Sequence, residues 1–305
     1  MFDVNSGPTV GVGLRHPHYE QALSSRADID FVEVHTENFY ALGGASQAVL
    51  ERAGELYDLS FHCTSLGLGS AAGMSADAIA RLVELKDHFD PLLISDHLSF
   101  AWGRLGNQKV HLGELLPIER TERSLRLVAE NVDRVQQALG RSLLVENVSS
   151  YAGGLKHQCS EAEFLSRLVE STGCQLLLDI NNLIVNAHNE SWSDTEAGII
   201  DWLNQLPQRA VGEIHLAGFT PVAETEIAID DHSQPVSALG WKSYRQALRR
   251  FGWQPTLIEW DSNLPSWSVL LQQAGLAREI CWQVAEEAKA TEKLAELPCQ
   301  ERVAM

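Results

Sequence analysis

The chain has 305 residues, of which 45% are hydrophobic and 21% are charged, which is the composition of a globular protein with a large core. Its 41 acidic and 23 basic residues give a formal net charge of -18, so we expect neither nucleic acid nor an anionic membrane as a partner. The sequence shows no long apolar run and no basic segment leading into one, so we expect a cytoplasmic protein.

Short apolar runs alternate with segments of helical periodicity along the chain. The predicted strands are 9–14, 30–35, 59–63, 92–97, 143–147, 176–181, 212–216 and 256–260. The predicted helices are 18–26, 45–57, 75–89, 119–140, 160–173, 196–206, 242–251 and the segment from 267 onward. Apolar strands that are each followed by a helix favour an α/β fold, a (β/α)8 TIM barrel. We expect a single barrel domain at 1–284 with a helical C-terminal extension, a helical or flexible tail, at 285–305.

Three connections are longer than simple turns, at about 98–119, 181–195 and 217–239, and loops of this length are commonly functional. The last contains IAIDDHSQP, so Asp230 and His232 could reach over the barrel mouth as ligands. His188, in NAHNE, is a weaker candidate in the second connection.

Polar side chains stand at or near the carboxyl ends of most predicted strands, where TIM barrels place catalytic groups. They are His62, Asp96, His97, Glu146, Asp179, His215 and Glu259. Glu33 and Glu37 flank the end of the second predicted strand. Burying several unpaired ions together is costly, and lysine and arginine are nearly absent from these ends. We therefore expect bound metal ions to supply the positive charge.

The chemistry of these donors restricts the metal. Imidazoles and carboxylates without thiolates suit zinc, iron or manganese. The candidates exceed the needs of one ion, so two or three ions are expected, with some carboxylates bridging.

Nine motifs occur in an order that resembles a known family. They are GVGLRHPHYEQAL, FVEVHTENFY, LSFHCTSLGLGS, SDHLSF, LLVENVSSY, GCQLLLDINNLIVNAHN, GEIHLAGF, IDDH and PTLIEWDSNLP. Over roughly residues 8–280 the chain resembles the MbnB/TglH family of multinuclear non-haem iron, peptide-modifying TIM-barrel proteins.

The resemblance implies a barrel that holds two or three irons, as mixed Fe2+ and Fe3+, and uses dioxygen as co-substrate. Such a protein oxidises a precursor peptide, commonly at cysteine, in the biosynthesis of a ribosomally synthesised and then modified product. A separate partner protein presents the peptide.

Carried over by motif, the expected metal ligands are His62, His97, Glu146, Asp179, His215, Asp230, His232 and Glu259. Asn182 matches a position that contacts a third metal in some members. The family motif S-E-H reads Ser95-Asp96-His97 here, and the family motif A-G-H reads Ala217-Gly218-Phe219.

Two other interpretations stay open at this point. A divalent-metal hydrolase or isomerase on a barrel like those of endonuclease IV and xylose isomerase would use a comparable donor set. A metal-binding protein without turnover would bind the ions and consume no oxygen.

Overall fold

The computed structural model describes residues 7–41, 43–151 and 154–296, with side chains as far as residue 291. The strands are β1 (Val10–Gly13), β2 (Phe31–His35), β3 (Asp58–Cys63), β4 (Leu93–His97), β5 (Ser99–Leu105), β6 (Gln108–Pro117), β7 (Leu144–Glu146), β8 (Gln175–Asp179), β9 (Val211–Leu216) and β10 (Thr256–Ile258). The helices are α1 (Tyr19–Ser24), α2 (Gly44–Leu56), α3 (Ala76–Phe89), α4 (Glu122–Leu139), α5 (Glu161–Thr172), α6 (Ile180–Asn189), α7 (Thr195–Gln205), α8 (Ala238–Phe251) and α9 (Trp267–Glu296).

Eight of these strands form a closed parallel barrel in the order β1-β10-β9-β8-β7-β4-β3-β2. Every predicted strand corresponds to one of these eight barrel strands, so the predicted (β/α)8 TIM barrel is confirmed. The barrel strands are apolar and buried almost throughout, because one face of each strand points into the barrel interior and the other packs against the helices. The register pairs His35 with His62 and His97 with Glu146, so their side chains lie at one level of the barrel.

Several helices begin directly after a polar side chain that satisfies one of their first backbone N–H groups. Ser75, Thr121, Ser160, Asp194 and Ser237 each accept a hydrogen bond from the N–H three residues ahead, before α3, α4, α5, α7 and α8. These caps fix the residue at which each of the five helices begins.

The expectation of three long loops is wrong for two of them. Residues 99–117 form an antiparallel hairpin, β5 and β6, joined by a two-residue turn with Gly106 at φ 61°. In the second connection, α6 begins at Ile180, immediately after β8, because the Asp179 side chain caps it. Of the three predicted connections, the third is the one that matches the expectation, because the segment between Ala217 and Ser237 contains no helix or strand.

The last helix closes the outer ring. α9 packs against β1, β10 and α8, and it buries Cys281, Val284 and Ala285. The expected boundary at 284/285 therefore falls inside one continuous helix, and the division there stays a prediction. Residues 297–305 of the expected tail lie outside the described residues. In the part of the chain that the structure covers, no helix is both long and apolar enough to cross a membrane.

Candidate metal centre

Three side chains from adjacent strands meet at the mouth of the barrel. His62 lies near the end of β3, His97 ends β4 and Glu146 ends β7. The Nε2 atoms of the two histidines are 3.2 Å apart, and each lies 3.3 Å from Glu146 Oε2. Donor atoms that share one ion at about 2 Å are separated by about this distance. These three residues form the first donor group.

A second donor group overlaps the first, and a third overlaps the second. The second is Glu146, Asp179 and His215, and the third is Asp179, His232 and Glu259. Within each group the donor atoms lie within 4.8 Å of one another. Glu146 belongs to the first and second groups, and Asp179 belongs to the second and third. The groups thus form a continuous row in which a carboxylate stands at each junction.

The imidazoles of the first group are oriented by hydrogen bonds on their far side. His62 Nδ1 lies 2.7 Å from Ser95 Oγ, and His97 Nδ1 lies 3.2 Å from the Cys63 carbonyl oxygen. Because a carbonyl can only accept, Nδ1 of His97 carries the hydrogen, and in the neutral ring Nε2 is left with a lone pair. Such partners fix the ring nitrogen that faces a metal.

The long segment after β9 supplies two more predicted ligands. Asp230 Oδ1 lies 2.8 Å from His232 Nε2 and accepts a hydrogen bond of 2.6 Å from Asn181 Nδ2. His232 Nδ1 lies 3.4 Å from Glu259 Oε2. His232 has a positive φ of 42°, a conformation that a histidine adopts only where its surroundings hold it. The structure therefore brings all eight positions implied by the motifs to one mouth.

Two carboxylates lie beneath His215, on the inner side of the cluster. Glu33 Oε2 and Glu213 Oε1 lie 3.4 and 3.6 Å from His215 Nε2, and both residues are fully buried. The other nitrogen, Nδ1, lies 2.9 Å from Glu259 Oε2, toward the mouth. Glu33 was a candidate from the sequence, whereas Glu213 was missed. Its position two residues before His215 on one strand was the available signal, because alternate residues share a face.

A cationic group that the sequence analysis also missed stands at the rim. Arg15, which follows β1, lies 2.7 Å from Asp261 Oδ1 and 3.0 Å from His35 Nε2. Asp261 Oδ2 in turn lies 3.1 Å from His232 Nδ1. Burial acts to lower the pKa of Arg15, but Asp261 and Glu259 raise it above its usual value. Arg15 therefore orders Asp261, which holds His232.

The remaining sequence candidates lie beside the donor groups. Asp96 accepts hydrogen bonds from the backbone N–H groups of Leu66 and His97, and Glu37 accepts from the N–H of Thr64 and the hydroxyl of Ser65. Both carboxylates therefore hold the loop after β3.

Asn182 and His188 lie on α6 at different distances from the cluster. Asn182 Nδ2 donates to Glu146 Oε1 at 3.3 Å and to the Asn147 carbonyl at 3.0 Å, so Asn182 contacts a member of two donor groups. His188 Nε2 lies 2.8 Å from the carbonyl oxygen of Glu226, and among the described residues it belongs to no donor group.

Burial and charge displace the pKa values of these groups. Burial raises the pKa of Glu146 to about 8 and that of Asp179 to about 7. Burial acts to lower the pKa of His97, but Glu146 and Asp96 raise it to about 9. The carboxyls thus retain protons near neutral pH where no other cation balances them.

A cavity of about 460 Å³ opens above the donor groups. His62, His97 and Glu146 lie on its floor, and β6 forms one wall with His111, Gly113, Glu114 and Leu115. Tyr151, Leu115 and Ile229 give it an apolar lip, with 43%, 37% and 50% of their surfaces exposed. The cavity is therefore polar and titratable at its base and apolar at its opening.

Comparison with known proteins identifies the family. The family model described as "RiPP precursor modification enzyme MbnB/TglH/ChrH" matches residues 9–282. The chain belongs to the MbnB/TglH/ChrH family. Curated members include a UPF0276 protein of Chromobacterium violaceum, 45% identical over 273 residues, with 88% of this chain and 94% of the relative covered. Another is a UPF0276 protein of Vibrio vulnificus, 41% identical over 276 residues, with 90% and 92% covered.

Solved structures share the barrel of this MbnB/TglH/ChrH protein. A xylose isomerase-like TIM barrel protein from Mycobacterium smegmatis in complex with magnesium gives a TM-score of 0.56 at 14% identity, covering 93% of this chain and 99% of that one. Endonuclease IV from Thermus thermophilus gives 0.54 at 18% identity, covering 92% and 100%. At these identities the likeness shows the fold alone.

The donor set of this family member fits metal ions. Buried polar atoms without a hydrogen-bond partner concentrate at the cluster: Glu146 Oε2, Asp179 Oδ2, Asn182 Oδ1 and His232 Nε2. Buried polar atoms are ordinarily paired, so orphaned ones grouped together indicate an ion that satisfies them. Each donor group combines carboxylate and imidazole, a set that suits iron, zinc and manganese.

Proposed function

We propose that this protein is an iron-dependent oxidase that modifies a ribosomally made precursor peptide in the cytoplasm, at cysteine, with dioxygen as co-substrate. Membership of a family of precursor-modifying enzymes supports an enzyme acting on a peptide. In the proposal a separate partner protein presents the peptide, and two or three irons, as mixed Fe2+ and Fe3+, occupy the donor groups.

The observation that carries the proposal is the sharing of carboxylates between donor groups. Glu146 and Asp179 each belong to two of the three groups along the row. A carboxylate between two donor groups can bridge two ions, so the row suits a cluster of ions better than separate ones. Irons held by these groups would supply redox chemistry with dioxygen and an affinity for a substrate thiolate.

The chain's own residues would bind and orient the peptide. Among the described residues, no cysteine belongs to a donor group, so an incoming cysteine would be the first thiolate at the centre. Cys63 lies beside the site, but it is buried and its Sγ donates to Thr36 Oγ1 at 3.5 Å. The apolar lip of Tyr151, Leu115 and Ile229 would exclude water around the side chains that flank the reacting residue.

Metal content tests the proposal directly. Protein purified without oxygen from iron-supplemented cells should contain two or three irons per chain by mass spectrometry, with coupled ferric and ferrous signals in the Mössbauer spectrum of an iron-57 sample. With a precursor peptide and its partner protein, it should take up oxygen. Full occupancy by zinc or manganese would instead favour the hydrolase or isomerase, and bound iron without oxygen uptake would favour a binding protein.

A single substitution tests the first donor group. His97→Ala should lower the iron content by about one ion per chain and abolish turnover, because it leaves two of three donors. His88→Ala, an exposed histidine on α3, is the matched control and should retain the wild-type iron content. Full iron and activity in His97→Ala would contradict the ligand assignment.

A further inference from the structure

A second cavity lies on the outer side of the β5–β6 hairpin, away from the donor groups. This hairpin groove has a volume of about 630 Å³ and runs between β5 and the beginning of α4. Its apolar lining includes Phe100, Trp102, Ile118 and Leu127, and its charged lining consists of two arginines, Arg104 and Arg123, and one carboxylate, Glu119. Of the residues that line the groove, only Gly69 and Phe100 belong to the sequence motifs that carry the family resemblance.

Basic side chains without an acidic partner lie close together at the groove, although the protein is strongly acidic. Arg104 lies opposite Lys109 in the hairpin register, and the Lys109 ammonium stands 4.8 Å from the centre of the Trp102 ring. Like charges that face each other across strands are unfavourable. Within the described residues, Arg104, Lys109 and Arg123 make no ion pair with a carboxylate, although the chain carries 41 acidic residues. Burial lowers the pKa of Lys109, and nearby Arg134 and Arg104 lower it further.

The same hairpin connects this groove to the candidate metal centre. Phe100, Trp102 and Arg104 on β5 line the groove, whereas Gly113 and Leu115 on β6 line the metal cavity. Paired strands lie about 5 Å apart, so a chain seated in the groove needs to cross only one hairpin to enter the cavity.

We propose that the hairpin groove binds an acidic, apolar segment of the precursor peptide and thereby directs another part of that peptide to the metal cavity. This role for the precursor rests on the proposed function. Charge complementarity selects acidic side chains, the aromatic and aliphatic lining selects apolar ones, and together they match a peptide in which both alternate. Aromatic and basic residues can also bind single-stranded nucleic acid, but the net charge of -18 opposes the approach of a long polyanion.

Binding of a synthetic probe tests the groove without iron, oxygen or turnover. The probe is a fluorescein-labelled peptide of alternating glutamate and leucine, measured by fluorescence anisotropy on the full chain. Replacing Arg104 and Arg123 together by glutamate should weaken binding by about tenfold, because it converts two attractive contacts into repulsive ones. Arg209→Glu, also exposed but located before β9 at the opposite end of the barrel, is the matched control and should bind as the wild type does.

Three comparisons decide whether the groove binds this class of peptide. Peptides that alternate glutamate with serine, or lysine with leucine, should bind at least about tenfold more weakly than the probe. The proposal would be overturned if the glutamate–serine peptide bound as tightly as the probe. It would also be overturned if an oligothymidylate bound as tightly as the probe and the same two substitutions weakened that binding. Unchanged probe binding in the Arg104→Glu, Arg123→Glu protein would also overturn it. Because the assay requires no turnover, a protein that binds the probe but contains no iron would refute the oxidase and leave the groove intact.

Discussion

Glu259 is the residue through which most of the candidate centre is connected. Its carboxylate belongs to the third donor group and also lies near His215 Nδ1, at 2.9 Å, and Arg15, at 3.7 Å. Burial acts to raise the pKa of Glu259, but His232 and His215 hold it well below the usual value. Glu259 is therefore charged in the metal-free protein, whereas Glu146 and Asp179 retain protons.

Glu213 provides the sharpest test of how the centre is oriented. Together with Glu33 it favours a hydrogen on His215 Nε2, so that Nδ1 remains free to bind a metal. Glu213→Leu should lower the affinity for ferrous iron by about 10- to 100-fold, which is the usual cost of removing a partner of a ligand. Glu213→Gln keeps an acceptor and should retain most of the affinity. Anaerobic titration with a chelator as competitor measures both, and equal affinities in the two variants would mean that Glu213 acts by packing alone.

The sequence identified the donor residues at the strand ends better than it identified the residues that hold those donors in position. His62, His97 and Glu146 were found because the carboxyl ends of parallel strands share one edge of the barrel. Glu213 is within its strand and could have been found from the two-residue period. Arg15 and Asp261 could not, because their pairing joins positions 246 residues apart and depends on closure of the barrel. That the donor residues bind metal stays a prediction.

Among the elements, α6 links the fold to the centre most directly. Asp179 Oδ1 accepts the N–H of Asn182 at 2.6 Å and caps the helix, while Oδ2 is buried without a hydrogen-bond partner and lies 3.9 Å from His232 Nε2. One carboxylate thus has a structural oxygen and an oxygen available for a metal. The Asn147 side chain holds the same strand end, because it exchanges two hydrogen bonds of 2.9 Å with the Asp179 backbone.

Two substitutions at Asp179 should separate these roles. Asp179→Asn keeps an oxygen that can cap α6, so the metal-free variant should unfold at about the same denaturant concentration as the wild type or a slightly higher one. Asp179→Ala removes the cap and should lower the free energy of unfolding by about 1 kcal/mol. Both should bind fewer ions, because neither has a carboxylate between the second and third groups. Urea unfolding with EDTA, paired with metal analysis, checks both, and wild-type metal content in Asp179→Asn would contradict the bridging role.

The hairpin shows where the sequence analysis was incomplete. Apolar runs predicted all eight barrel strands, because a strand that is buried on both faces consists almost entirely of apolar residues. Most of β6 is exposed, so its residues lack that pattern, and the segment was expected to be a loop. The signal available was Gly106-Asn107 between two stretches able to pair, since a two-residue turn with glycine first suits a hairpin.

At the scale of the whole molecule, the stability of the fold should depend on metal and pH together. The reason is that the chain is strongly acidic and buries several titratable groups at the mouth of the barrel. The chain has 18 more acidic than basic residues, and the mouth gathers Glu146, Asp179, Glu213 and Glu259 in buried positions. In the metal-free protein Glu146 and Asp179 keep protons, and bound ions would displace them. Metal binding would therefore be thermodynamically linked to folding.

The metal-free protein should accordingly lose stability between pH 7 and pH 9. The pKa of Glu146 is raised from 4.5 to about 8, so at pH 7 the folded protein holds a proton that the unfolded chain has released, and folding is opposed as the pH rises. The pKa of His97 is raised from 6.5 to about 9, so its contribution is complete below pH 6.5 and is lost as the pH rises through 9. Both effects lower Tm in the same direction, by several degrees in total.

Bound iron should remove most of this dependence, because the ions replace the protons that the increase in pH takes away. Differential scanning calorimetry at pH 7, 8 and 9, on EDTA-treated protein and on protein loaded anaerobically with ferrous iron, measures the difference in Tm between the two forms. That difference should widen with pH. In metal-free Glu146→Gln the decline should be smaller, since glutamine has no proton to lose. If the Tm of this variant fell with pH as steeply as that of the wild type, a group other than Glu146 would be responsible. If the Tm difference between the metal-free and iron-loaded forms stayed constant with pH, the ions would not bind at the titrating residues.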